Sequence, residues 1–105
     1  MSFSTLAGLK LIREQVADKD KWHQGGLFSP DGSKCCLLGR IYCLNDREMT
    51  DRIKSSLWDT LAAMNLPTNI SEYNDTHSHA QVLELIDKSI ATEEKVYSAQ
   101  RNSID

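Results

Sequence analysis

Apolar residues recur every three to four positions through three separate stretches of this chain, a period that fits amphipathic helices and rules out alternating strands. Leu6, Leu9, Ile12 and Val16 make the first stripe, and Ile53, Leu57, Leu61 and Met64 the second. Val82, Leu83, Ile86 and Ile90 make the third, which has the clearest start signal in the sequence. Ser78-His-Ala-Gln81 stands directly before it and reads as a capping box, where serine and glutamine side chains satisfy the first free amides of a helix. These stripes predict helices over about Thr5–Ala17, capped by Ser4, over Met49–Met64, stopped by Asn65 and Pro67, and from Ser78 to about Tyr97.

A fourth helix is expected from Cys35 to Leu44, where the run Cys-Cys-Leu-Leu-Gly-Arg-Ile-Tyr-Cys-Leu is almost wholly apolar. Gly39 inside it weakens a helix by about 1 kcal/mol relative to Ala, so its use is to let another element approach closely. Between the first two helices lies heavy turn chemistry, Gln24-Gly-Gly and then Ser29-Pro-Asp-Gly32. Pro30 presets one turn dihedral, and Gly32 accepts a positive one. Leu27-Phe28 and Lys34-Cys-Cys could pair across that turn as a short ribbon. The segment from Leu66 to Thr76 reads as a linker. The expectation is therefore a mostly α, compact four-helix single domain over residues 1–97, with a glycine-rich loop or small β-hairpin between helices 1 and 2 and a flexible C-terminal tail over residues 98–105.

Charge and cysteine usage narrow the function. Twelve basic residues against 15 acidic ones leave a net charge of -3, and no Lys/Arg cluster exists to neutralise phosphates, so nucleic acid is not expected as a partner. No apolar run approaches bilayer length, and the first residues lack the basic-then-apolar pattern of a signal peptide, so no membrane partner and a cytoplasmic location are expected. Cys35, Cys36 and Cys43 are odd in number and two are adjacent, which suits a reducing compartment better than a disulfide framework. Asn69-Ile-Ser71 and Asn74-Asp-Thr76 match the glycosylation sequon, but a chain that is not secreted leaves them idle.

Four short motifs occur in order: Trp22-His-Gln-Gly25, Cys36-Leu-Leu-Gly39, Tyr73-Asn-Asp75 and Val82-Leu-Glu-Leu-Ile-Asp87. Together, over roughly Leu9 to Ala91, they resemble a small uncharacterised bacterial and bacteriophage domain family, a domain of unknown function. That family shows an aromatic-X-Gln-Gly loop, a Cys-X-X-Gly-Ala helix and an aromatic-Asn-Asp turn leading into an apolar helix. The resemblance implies relatives and no activity. Arg40 departs from it, standing where a small residue is usual, and the loop between Gly25 and Cys35 is shorter than in relatives.

The chemistry-bearing residues support few reaction classes. The thiols together with His23, His77 and His79 lack the two close ligand pairs of a structural zinc site, so no metal and no cofactor are expected. Cys36, ahead of Cys35, is the candidate nucleophile, since both lie where a helix is expected to begin and amide dipoles there lower a thiol pKa. Its neighbours Leu37, Leu38 and Ile41 argue instead for a small core residue. The Gln24-Gly-Gly loop lacks the strand, helix and glycine spacing of a nucleotide site. If the first and last helices pack antiparallel, Trp22, Gln24 and Gly25 meet Tyr73, Asn74 and Asp75 at one end of the molecule. That cluster is the candidate binding site, and its competing role is to tie two loops together. The resulting expectation is a small binding protein without enzymatic activity and with a protein partner, in one version a phage-type accessory factor that binds a host protein or antagonises a defence system. The alternatives are a cysteine-dependent hydrolase or transferase, and a sequestering protein for a small polar ligand.

Overall fold

The computed structural model describes residues 4–104, with side chains described to residue 98. Five α-helices follow one another: α1 Thr5–Val16, α2 Leu37–Tyr42, α3 Arg47–Ala63, α4 Ile70–Thr76 and α5 His79–Ile104, with a 3-10 turn at Lys19–Lys21 after α1.

The start and stop signals work as their chemistry requires. Ser4 Oγ accepts from Ala7 N at 3.1 Å and caps α1. At α5 the box is reciprocal: Ser78 Oγ accepts from Gln81 N at 3.1 Å, while Gln81 Oε1 accepts from Ser78 N at 2.9 Å. Asn65 ends α3 with φ +59°, and the Leu66 and Asn65 amides bond back to the Leu61 and Ala62 carbonyls at 3.1 and 3.0 Å. That is a Schellman closure with asparagine in the left-handed position.

Four features differ from the sequence reading. The segment 66–76 contains a helix, α4, capped by Asn69 Oδ1 accepting from Glu72 N at 2.8 Å. Its single turn or two of apolar residues, Ile70 and Tyr73, is too short to register as a period. The expected helix over 35–44 is shorter at its front, because Cys36 is the N-cap and Cys35 belongs to the preceding segment. The ribbon is also reduced. Among the described residues no strand forms, and Leu27-Phe28 meets Cys35-Cys36 through one antiparallel bridge, Phe28 with Cys35. The last helix runs on past Tyr97 to Ile104 through most of the segment assigned to a tail, and Asp105 lies outside the described residues.

α1 and α5 lie side by side and antiparallel. Arg13 pairs with Asp87 at 2.8 Å, and His79 Nε2 sits 2.7 Å from the Val16 carbonyl, so the end of α1 meets the start of α5. α3 completes the core: Leu9, Ile12, Ile53, Leu57, Leu85 and Ile86 are wholly buried. Gly8 lets α1 close on α3, since a Cβ there would come within 2.7 Å of Met49 Sδ. Between α3 and α5 the buried Thr60 and Ser89 hydroxyls bond to each other at 2.6 Å, so neither polar group is orphaned.

Candidate functional site

The antiparallel docking of α1 on α5 brings the two polar motifs together. Trp22, Gln24 and Gly25 sit on the loop after the 3-10 turn, and Tyr73, Asn74 and Asp75 form the last turns of α4. The centre is Asn74, completely buried. Its Oδ1 accepts from Trp22 Nε1 at 2.7 Å and from Leu37 N at 3.0 Å. Its Nδ2 donates to the His23 carbonyl at 2.9 Å and to Asp75 Oδ1 at 3.1 Å. A side-chain amide has two donors and two acceptor positions, and all are used. One side chain thus ties the loop, the first amide of α2 and α4 into a single unit.

Gln24 and Asp75 complete the clasp. Gln24 Nε2 donates to the carbonyls of Asn74 at 3.0 Å and His77 at 2.7 Å, the latter a free carbonyl at the C-cap of α4. Asp75 Oδ1 accepts from Gly25 N at 2.9 Å, and Gly25 takes φ +96°, a conformation that suits glycine. The Trp22 ring rests against His79, with centroids 5.2 Å apart. Tyr73 points into the core rather than toward the loop: it is 3% exposed, and its ring stacks on His77 at 3.8 Å. Burial pushes its hydroxyl pKa up. His79 went unnoticed as part of this end because its bond to a helix-terminal carbonyl leaves no trace in sequence spacing.

Cys36 is held as scaffold. Its sulfur accepts from Gly39 N at 3.3 Å, capping α2, and the side chain is fully buried. Burial pushes the thiol pKa up, more strongly than the Gly39 and Leu38 amides draw it down. A thiol kept protonated and out of reach of solvent is a poor nucleophile. Gly39 has the expected role: a Cβ would collide with the Leu27 carbonyl oxygen, the atom that accepts from Cys36 N at 3.0 Å. Among the described residues no group of three or more His, Cys, Asp or Glu side chains is placed to hold a metal ion.

What the clasp supports is the outer part of the loop. The Cys36 N bond to the Leu27 carbonyl and the Ser29 N bond to the Lys34 carbonyl at 2.9 Å fix its two sides. At its tip Asp31 Oδ1 accepts from Ser33 N at 3.0 Å, Ser29 Oγ at 2.7 Å and Ser33 Oγ at 2.8 Å. The Ser33 amide above all, with both hydroxyls, holds the Asp31 carboxyl at about 2. Leu27 and Phe28 are left 38% and 47% exposed on this pinned backbone. The sequence reading did not single them out, because an apolar pair beside a turn looks like a strand headed for the core. Trp58 on α3 is also exposed, beside Leu66 and Pro67.

Fold and site together define a small helical domain that uses its polar motif residues to hold a surface loop in place. The chain belongs to the family of unknown function DUF6197, whose model matches residues 4–92. That span takes in all four motifs and stops within α5. No curated protein and no solved structure matches the chain.

Proposed function

We propose that this domain is a non-enzymatic binding module that presents the loop over residues 26–34 to a protein partner. One observation carries the reading: two large apolar side chains, Leu27 and Phe28, are held outward on a loop that is fixed from beneath by the Asn74 clasp and by its own backbone bonds. A pinned loop loses little conformational freedom on association, so its apolar tips retain more of their burial energy for binding.

The same geometry weighs against the other readings. A hydrolase built on Cys36 would need a thiolate that solvent and substrate reach, and this sulfur is buried and caps α2. A sequestering site built on Gln24, Asn74 and Asp75 would need free donors and acceptors, and their hydrogen bonds go to one another's segments. No helix among the described residues is long and apolar enough to cross a membrane. A cytoplasmic setting suits three free cysteines, and a net charge of -3 favours a protein over a nucleic acid as partner. The finer version, a phage-type accessory factor that engages a host protein or a defence component, rests on the motif resemblance.

The test compares affinity capture from the native host by the wild-type domain and by Leu27→Ser and Phe28→Ser variants. Both side chains are exposed, so the variants should unfold at the wild-type denaturant midpoint and lose the captured protein. Capture that persists in both variants would move the contact surface elsewhere, with exposed Trp58 as the next candidate.

A further inference from the structure

The three thiols occupy different surroundings, and two of them converge. Cys35 sits just ahead of α2, with its Cβ 3.2 Å from where a side chain on Gly39 would begin. Cys43 is one helical turn beyond Gly39, its amide bonded to the Gly39 carbonyl at 3.1 Å. Helical side chains lean toward the N-terminus, so the Cys43 side chain leans back over the surface that Gly39 leaves bare. Cys35 lies across that same bare surface. The two thiols are near enough that Cys43 helps raise the Cys35 thiol. Cys36 is engaged differently, its sulfur accepting from the Gly39 amide to cap α2.

Exposure divides the roles within the pair. Cys43 is exposed and Cys35 is buried, 5% accessible, and both are free thiols. We propose that Cys35 and Cys43 form a peroxide-responsive dithiol, in which Cys43 is oxidised first and Cys35 resolves it to a disulfide across Gly39. In the first step the Cys43 thiolate attacks one oxygen of hydrogen peroxide. The O–O bond breaks, a sulfenic acid forms on Cys43, and the departing hydroxide takes up a proton as water. In the second step the Cys35 sulfur attacks the Cys43 sulfur. The S–O bond breaks, and the hydroxide leaves as water with the proton from Cys35. Two thiols are oxidised by two electrons in all, and one peroxide is reduced to two waters.

The geometry explains why Cys35 resolves better than it initiates. Burial pushes its thiol up, while the Arg40 guanidinium draws it down and gives the attacking thiolate a counter-charge. The resulting bond would staple the residue bridged to Phe28 onto the last turn of α2. The chemistry does not depend on what the domain binds.

The experiment treats the purified, fully reduced chain with one equivalent of hydrogen peroxide. Remaining thiols are then alkylated under denaturing conditions, and the product is read by intact mass and by fragmentation of its tryptic peptides. The expected product is a monomer two hydrogens lighter, with one alkylated cysteine, Cys36, and a cross-link joining Cys35 to Cys43 that dithiothreitol reverses. A Cys36→Ala variant should keep the cross-link, and Cys43→Ser, at an exposed position, should fold normally and abolish it. The proposal is overturned by a Cys35–Cys36 bond, by a dimer joined through Cys43, or by Cys43 advancing to sulfinic acid while Cys35 stays alkylatable.

Discussion

Where α1, α3 and α5 meet, Leu9, Ile12, Leu57 and Ile86 are wholly buried among other apolar side chains, and no single contact fixes any of them. At the other end Asn74 is equally buried, yet each of its polar atoms has a named partner at 2.7 to 3.1 Å. Non-directional burial tolerates a neighbour of similar volume, because area removed from water is what counts. Directed bonds tolerate almost nothing, because a missing partner leaves a buried group unsatisfied. The apolar region makes the fold stable, and the polar region decides where one particular loop stands.

The sharpest way to break this contrast is to replace each side with its nearest mimic. Asn74→Ala strands the Trp22 indole N–H, the Leu37 amide and the His23 carbonyl at once, and at about 1–3 kcal/mol per orphaned group the loss should reach about 4 kcal/mol. Asn74→Asp, almost the same shape, loses both donors and sets a second carboxylate against Asp75, so it should remain clearly destabilised. Leu57→Met, a volume-conserving swap on the apolar side that changes shape more, should still cost less than about 1.5 kcal/mol. Denaturant unfolding of the three variants checks the order, and equal losses for Asn74→Asp and Leu57→Met would erase the distinction.

Gly39→Ala comes next. A methyl group driven against the Leu27 carbonyl oxygen must displace backbone, for a loss of about 2 kcal/mol. The amide spectrum should change over residues 26–36 and stay unchanged in α5. A spectrum perturbed mainly in the core would mean that loop and core are not separable.

A smaller effect is expected at Ser78→Ala, about 1 kcal/mol, the usual loss for an N-cap, here belonging to the start of α5. An unmoved unfolding midpoint would show that α5 begins without its box.

The alkaline limb sharpens the comparison without mutation. The folded pKa values of Cys35 and Cys36 are raised, chiefly by burial, above an ordinary value of 9.0. Below that value both states are protonated and the thiols' contribution is intact; above it the unfolded chain releases protons that the fold retains. Stability should therefore fall as pH rises past about 9, and Tyr73, also raised by burial, adds to the slope at higher pH. Urea midpoints measured on either side of that value check the sign, and Cys36→Ala should flatten the slope.

How much of this could be read from the sequence follows the same division. Ser4, the Ser78–Gln81 box and Asn65 act through neighbours three to five residues away, so their roles are written locally. The need for glycine at position 39 was also legible, although which atom approaches it, the Leu27 carbonyl, was not. α4 escaped notice because two apolar residues make no period, even though Asn69 and Glu72 stand at capping distance. That the Trp22–Gly25 loop meets Asn74 and Asp75 followed from antiparallel docking of α1 and α5. That Asn74 would be the buried hub, with Tyr73 turned into the core, depends on which face of a seven-residue helix points inward. Bonds that span about fifty residues leave no local pattern.

The central claim is that the motif residues hold the loop and leave recognition to its tip, and Gln24 tests this most directly. Its side chain, like that of Asp75, is exposed, and it makes the pair of bonds to the Asn74 and His77 carbonyls. Urea unfolding of Gln24→Ala should show a loss of about 1 kcal/mol, the net worth of such hydrogen bonds, with an unchanged slope. An unmoved midpoint, together with loss of the captured protein, would contradict the account and make Gln24 part of the recognition surface.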